Sequence, residues 1–579
     1  MHVIATAGHV DHGKSTLVRA LTGMEPDRLA EERRRGLTIE LGYVWTRLPS
    51  GELLAFVDVP GHQRFIGTML AGLGPTPAVL FVVAADEGWS RQSDEHLAAI
   101  EALQVRHGVL AVTRADLADP APVLADARRR LAAGSLGDVT AVAVSGRTGA
   151  GLDELRTALD DLVTALPAPV TAAPVRLWLD RSFSVRGAGT VVTGTLAAGA
   201  VATGDTLELQ GRPVTVRGIQ SAGAEHERVD AVARVALNLR GVPATEPGRG
   251  DVLLTPDAWW HTDTVDVRLD PPGPQPAELV AHVGTAAVAV RVRPLDDHHA
   301  RLTLATPLPL RRGDRAVLRN PGAQAVAAGA LVLDADPPAL TRRGAAAARA
   351  RELLNGPSAA DEVRRRGTVR RDHLRRLGLP TGSLRGVHEH GPWLVHDDIW
   401  QEWLVALPDA LDGWGRAHPL DPAPPVAALR DLLAVPDADL TRALVVAAGL
   451  RVGDGRVTRP GAAPRAVPAN VRALLDRLAG DPFAAPERDD LAALRLGRRE
   501  LAAAAKDGHL LRLADDIVLA PAAVELARDR LAALPQPFTT SAARQALGTT
   551  RRVAIPLLEH LDDIGLTTRV DTTSRTVVT

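Results

Sequence analysis

Eight residues near the start constrain the fold more than anything else in the chain. Gly8, His9, Val10, Asp11, His12, Gly13, Lys14 and Ser15 fit GxxxxGK[ST], between an apolar run, VIATA, and an amphipathic one, STLVRAL. Strand, glycine-turned loop and helix in that order make a phosphate cradle. Glycines let backbone N–H groups turn inward, and the helix N-terminus adds positive potential. The expected nucleotide contacts are Asp11, His12, Gly13, Lys14, Ser15 and Thr16, with Lys14 on the β and γ oxygens and the Ser15 hydroxyl on Mg²⁺. Lys14 stands out because Lys506 is the only other lysine among 67 basic residues.

The rest of a nucleotide switch follows in order. DVPGH, Asp58 to His62, ends the run LLAFVDV. Asp58 can hold Mg²⁺ through water, the Gly61 N–H can sense a γ-phosphate, and His62 can orient the attacking water as the catalytic residue. The plain alternative for His62 is a surface-loop histidine. Thr38, in GLTIELGY, can close on Mg²⁺ and γ-phosphate, so Ser15, Thr38 and Asp58 form the expected metal set. The charged run EERRRG before it reads as solvated. After the strand VLAV come Thr113, Arg114, Ala115 and Asp116, where NKxD is usual. Asp116 can accept both N1–H and the amino group of guanine, the Thr113 hydroxyl can tie the loop, and the Arg114 stem can stack on the base. Ser145 and Gly146, opening SGRTGAGLDEL, complete the base pocket. The cofactors implied are GTP/GDP and Mg²⁺, and the activity is GTP hydrolysis.

At 579 residues the chain must divide into several domains. Residues 1–170 alternate apolar runs with amphipathic stretches, the rhythm of a parallel α/β sheet, and PAPVTAAP reads as a linker. Period-two strands punctuated by glycine predict two antiparallel β-barrels, over 171–257 and 258–340. Beyond Pro337 and Pro338, helices followed by a short hairpin recur about every 60 residues. Four winged helices are expected, over 341–407, 408–468, 469–529 and 530–579, with Pro-rich spacers around Pro424 and Pro464. The second shows the pattern best: VAALRDLLAV, LTRALVVAA, then LRVGDGRVTR, a wing turned at Gly453, Asp454 and Gly455. In the last, Arg544, Arg551, Arg552 and Arg569 can flank the second helix and wing as an RNA-binding face, although Glu559, Asp562, Asp563 and Asp571 leave the segment only slightly basic. A solvated arginine-rich face is the plain alternative.

Formal charge is −2, so nucleic-acid binding would need a local basic face. Cysteine is absent, which excludes disulfides, thiolate metal sites and cysteine nucleophiles. No signal peptide and no membrane span are expected, since MHVIATAGHV lacks a basic leader ahead of an apolar run and no uncharged apolar stretch is long enough to span a bilayer. A cytoplasmic monomer without membrane contact is expected.

The set GHVDHGKST, GLTIELGY, DVPGH and SGRTGAGLDEL resembles translational GTPases. DRSFSVRGAGTVVTGTL, ARVALNLRGV and AHVGTAAVAVRV narrow the likeness to the selenocysteine-specific elongation factors, the SelB family. It is close through the first 335 residues and looser across the winged helices. The resemblance implies delivery of selenocysteinyl-tRNA to the ribosome at UGA codons marked by an mRNA hairpin, with ribosome-stimulated hydrolysis. It also implies an aminoacyl pocket lined by Asp180, Arg181 and Arg234. Arginines suit an ionised selenol, and a neutral serine would leave them unpaired; a structural ion pair between Asp180 and Arg181 is the alternative. Two other readings stay open: another tRNA-delivering or ribosome-acting GTPase, and a nucleotide-regulated RNA-binding scaffold. A sulfate-activating GTPase subunit would share the barrels but not the winged-helix tail.

Overall fold

The computed structural model describes residues 1–26, 38–185, 189–243, 247–419, 421–460, 467–571 and 573–578. The expected solvated run at 31–36 and the spacer at Pro464 lie outside them. The described chain forms two compact units, Met1–His396 and Asp397–Thr579.

The first unit begins with β1 (His2–Ala7), α1 (Lys14–Thr22), β2 (Gly42–Arg47), β3 (Leu53–Asp58), α2 (Ile66–Leu73) and β4 (Ala78–Ala84). It continues through α3 (Arg91–Leu103), β5 (His107–Thr113), α4 (Ala121–Ala132), β6 (Thr140–Ala143) and α5 (Leu152–Ala165). The strand order is β2-β3-β1-β4-β5-β6, parallel except for β2 against β3. Continuous apolar runs suit such strands because helices cover both faces: β4 is buried along its whole length. Parallel pairing brings the carboxyl ends of β1, β3, β4 and β5 to one edge, where α/β sheets bind ligands.

No helix occurs among the described residues between Arg176 and Asp334. The first barrel is built from β7 (Arg176–Val185), β8 (Gly189–Leu196), β10 (Thr206–Leu209), β11 (Arg212–Ser221), β12 (Ala224–His226), β14 (Ala233–Arg240) and β15 (Val252–Leu254), while the short β9 (Ala200–Ala202) and β13 (Arg228–Asp230) pair with each other. Its order is β10-β15-β7-β8-β14-β11-β12, closed by pairing β10 with β11. The second, β16 (His261–Asp270) to β21 (Ala325–Asp334), is a closed six-stranded barrel.

The helix-and-wing unit after it shares the second barrel's core. Val363, Leu374, Leu377 and Leu394 cluster with Leu310, Ala316 and Val332. A buried charge network also ties them: Arg349 pairs with both Asp266 and Asp334, and Arg301 with Asp266. Charges this buried are tolerable only when each is paired.

In the second unit the wing at LRVGDGRVTR is a hairpin, Arg451–Gly453 against Arg456–Thr458, with Asp454 and Gly455 at φ 48° and 72°, as a tight two-residue turn requires. Two expected boundaries need correction. The break between 407 and 408 falls inside a continuous helix, Asp397–Ala417, which carries Pro408 within it, and the break between 529 and 530 falls inside the helix Ala523–Ala532. Copies three and four also share one core, in which Leu474, Leu478 and Phe483 pack with Leu531, Leu557 and Leu558. A unit this small buries too little by itself, so neighbours stack.

Candidate functional site

Each expected phosphate and metal residue reaches the carboxyl edge of the sheet. Gly8 leaves β1 at φ 127°, where an added Cβ would lie 2.1 Å from the Val82 carbonyl oxygen, so only glycine fits. Its N–H donates to Nδ1 of buried His96, 3.0 Å away. Burial, with Lys14 and His9 adding to it, pulls His96 down to about 3, so the ring stays neutral and able to accept. His12 is fully buried beneath the loop and lowered to about 4, first by burial and then by His9.

Lys14 Nζ donates to the carbonyls of Gly8 (3.1 Å) and His9 (2.7 Å). The Ser15 hydroxyl donates to Asp58 Oδ2 at 2.6 Å and lies 2.9 Å from the Thr38 hydroxyl. Asp58 is fixed from behind: Thr6 Oγ1 donates to its other oxygen at 2.8 Å and accepts from Val59 N–H. Ser15, Thr38 and Asp58, scattered over 44 positions of sequence, therefore form one oxygen-only cluster, the donor set that suits a hard cation such as Mg²⁺.

Gly61 lies directly on the phosphate loop. A Cβ there would fall 2.4 Å from Val10 N and 2.5 Å from Lys14 Nζ. Beside it, His62 is exposed and caps the turn Gln63–Phe65, its Nδ1 accepting from the Arg64 N–H at 3.1 Å. The remaining proton is thus placed on Nε2.

The loop expected to read the base, Thr113 to Asp116, is tied to the loop from Gly8 to Ser15. Thr113 Oγ1 donates to the His12 carbonyl at 2.7 Å. The Arg114 head binds Asp86, Glu87 and the Asp11 carbonyl, so stacking on a base would fall to its methylene stem. Ser145 hydrogen-bonds Asp116 and, with Arg147 near, keeps its carboxyl below the ordinary range. Gly146 sits against Thr16, 3.4 Å from the place of its missing Cβ.

A second cleft lies between the sheet and the first barrel, lined by Tyr43, Trp45, Arg181, Thr193, Ser221 and Arg234. The Asp180 carboxylate is clasped by both terminal nitrogens of Arg234 and accepts from Thr193 Oγ1 at 2.7 Å. The Arg234 guanidinium lies 3.6 Å from the centre of the Tyr43 ring, and that of Arg181 5.5 Å. The buried acid thus pairs with Arg234, across 54 positions, and not with its neighbour Arg181. Arg181 turns to the segment after Thr38: its Nη2 donates to the Leu41 carbonyl at 2.5 Å, and its Nε lies 3.1 Å from Glu40. Sequence reasoning missed Tyr43 and Trp45 as walls of this cleft. The only signal was that Tyr43 is the single tyrosine of the chain.

In the last winged helix the four arginines differ. Arg552 bonds the Pro486 and Asp516 carbonyls and pairs with Glu487. Arg569 pairs with Glu559 and Asp562, and the unforeseen Arg575 also holds Asp562. Arg544, on the helix Thr540–Leu547, and Arg551, at the start of Arg551–Asp563, have side chains with no hydrogen bond or ion pair among the described residues. A cation at a helix N-terminus opposes the helix dipole, so helix stability does not account for Arg551.

Residues 1–165 match the family model for the elongation factor Tu GTP binding domain. Residues 262–339 match that for the selenocysteine-specific elongation factor beta-barrel domain, and 529–575 that for the winged helix of elongation factor SelB. The chain is 39% identical over 350 residues to the selenocysteine-specific elongation factor of Escherichia coli, covering 59% of this chain and 56% of that one. It is 32% identical over 281 residues to elongation factor Tu 2 of Streptomyces avermitilis, covering 44% and 72%. It spans about half the length of the curated selenocysteine-specific relatives it matches. Its fold is that of the crystal structure of a bacterial selenocysteine-specific elongation factor EF-Sec, with TM-score 0.78, 24% identity and 100% of each chain covered. The GTP-binding sheet, the two barrels, the winged helices and these matches together place the chain in the selenocysteine-specific elongation factor (SelB) family of translational GTPases.

Proposed function

We propose that the chain carries selenocysteinyl-tRNA to the ribosome in its GTP form at UGA codons marked by an mRNA hairpin, and releases the tRNA on hydrolysis. The observation that carries this reading is the shared wall between the two sites: Tyr43, five residues after Thr38, roofs the Asp180–Arg234 pair of the first barrel. A nucleotide-dependent movement of the 38–43 segment therefore changes the aminoacyl cleft directly.

Within that scheme the loop from Gly8 to Ser15 binds the phosphates, with Lys14 exchanging its two carbonyl partners for phosphate oxygens. Ser15 and Thr38 would hold Mg²⁺ directly and Asp58 through water; the ion supplies charge stabilisation on the β and γ oxygens. His62, with its proton on Nε2, orients the attacking water as a hydrogen-bond donor and does not act as a strong base. Asp116 reads guanine, its carboxylate steadied by the Ser145 hydroxyl. In the aminoacyl cleft arginine charge favours a selenolate over the hydroxyl of serine. The last winged helix grips hairpin phosphates, first through Arg544 and Arg551.

The deciding experiment is equilibrium binding of selenocysteinyl-, seryl- and cysteinyl-tRNA to the full chain, with a GTP analogue and with GDP. The reading requires a preference for selenocysteinyl-tRNA that depends on the analogue; equal binding of all three refutes it. Ribosome-stimulated phosphate release tests the hydrolytic half.

A further inference from the structure

The two arginines of the aminoacyl cleft are held in unlike ways. Arg234 is locked to a carboxylate that is 3% exposed, whereas Arg181 and Glu40 are 26% and 43% exposed. Breaking a buried, doubly bonded pair leaves a stranded charge; an exposed pair contributes little and exchanges readily. The Arg181–Glu40 contact is also not a directed hydrogen bond, because the buried Nε–H of Arg181 is aimed at no acceptor among the described residues. Of the two guanidinium groups, Arg181 is therefore the one able to change its anion. Its present partners, Glu40 and the Leu41 carbonyl, lie two and three positions beyond Thr38, whose hydroxyl meets Ser15. A second link runs parallel to the first: Arg249 donates to Thr68 Oγ1, on α2 just after DVPGH, at 2.9 Å and reaches the Asp180 carbonyl at 3.5 Å.

We propose that Glu40 is a displaceable internal anion for Arg181, which an anionic aminoacyl side chain must evict to be accepted, drawing the guanidinium off both Glu40 and the Leu41 carbonyl and so releasing the 38–41 segment to settle on the nucleotide. The inference rests on the reading of this cleft as a selenocysteine site. A selenolate can replace the Glu40 carboxylate charge for charge. A seryl hydroxyl cannot, so the precursor leaves Arg181 tied to Glu40 and the segment beside Thr38 restrained. Selection of the amino acid and closure on the γ-phosphate thereby become one anion exchange. By linkage, each ligand strengthens the other through the same pair of residues.

The test is a double-mutant cycle on the full chain: wild type, Glu40→Gln, Arg181→Gln and the double variant. For each, the affinities of selenocysteinyl- and seryl-tRNA are measured with a GTP analogue and with GDP. The quantity of interest is the ratio by which the analogue favours selenocysteinyl- over seryl-tRNA. Either single substitution is expected to lower that ratio by about fivefold or more, and the double variant by no more than the larger single effect. A ratio within about twofold of wild type in Glu40→Gln, or additive losses in the double variant, overturns the exchange while leaving the selenocysteine reading intact. A wild type with no such preference overturns both.

Discussion

Arg234 clasps Asp180 with two nitrogens while its face lies 3.6 Å from the centre of the Tyr43 ring, so an ion pair inside the first barrel is covered by a ring of the nucleotide-binding sheet. Among the described residues neither has a second ion-pair partner. Arg234→Met or Asp180→Asn alone is expected to destabilise the first unit by about 3–5 kcal/mol, because the partner is left buried and unpaired. The double substitution should cost less than the sum. Urea unfolding followed by tryptophan fluorescence checks this, and strictly additive losses would contradict it.

The loop proposed to read the base makes a separate prediction. Thr113→Val keeps the volume but strands the His12 carbonyl, at about 1–3 kcal/mol, so GTP affinity should fall about tenfold with little gain for ATP. Asp116→Asn replaces an acceptor by a donor and should favour XTP over GTP. Titration with GTP, ATP and XTP decides both; an unchanged GTP affinity in Thr113→Val would remove the loop tie from the account.

Acid sensitivity should track His96. Its folded ring is lowered to about 3, below the ordinary unfolded value, so the unfolded chain takes up a proton that the native loop refuses. Stability is then complete above pH ~6.5 and declines as pH falls toward ~3, by about 1.4 kcal/mol per pH unit for such a histidine. His12 and His282, each lowered to about 4, act in the same sense. His96→Asn offers Oδ1 to the Gly8 N–H without titrating, and should flatten the decline between about pH 6 and pH 4.5 by about one proton's worth. A pH series of urea midpoints with an unaltered slope would show that His96 is not the titrating group.

The last winged helix should divide its arginines into two kinds. Arg544→Ala and Arg551→Ala should each weaken hairpin RNA binding and reduce the slope of log affinity against log salt by about 1, since neither side chain has another described partner. Arg552→Ala and Arg569→Ala remove internal contacts and should lower thermal stability first. Filter binding at several salt concentrations with melting curves separates the effects. Equal salt slopes for all four variants would argue against the division.

The three loops expected to hold the nucleotide are legible from the residues alone. Gly8 to Ser15, Asp58 to His62 and Thr113 to Asp116 are short, local motifs at strand ends, and parallel pairing must bring such ends to one edge. Ser15, Thr38 and Asp58 meet for that reason. The β-barrels and the repeated wings were legible in the same way, from period two and from the Asp454–Gly455 turn. The tertiary structure alone decided which charges pair. Arg181 adjoins Asp180 in the chain, yet the register of β7 against its neighbour slips between Leu179 and Arg181, so strand alternation does not set their directions; Asp180 turns to Arg234 and Arg181 to Glu40. It also decided that Tyr43 covers the Asp180–Arg234 pair, that the third and fourth winged helices share a core, and that Arg552 is committed to internal partners. Such pairings depend on how separately folded layers dock, and no spacing along the chain records that.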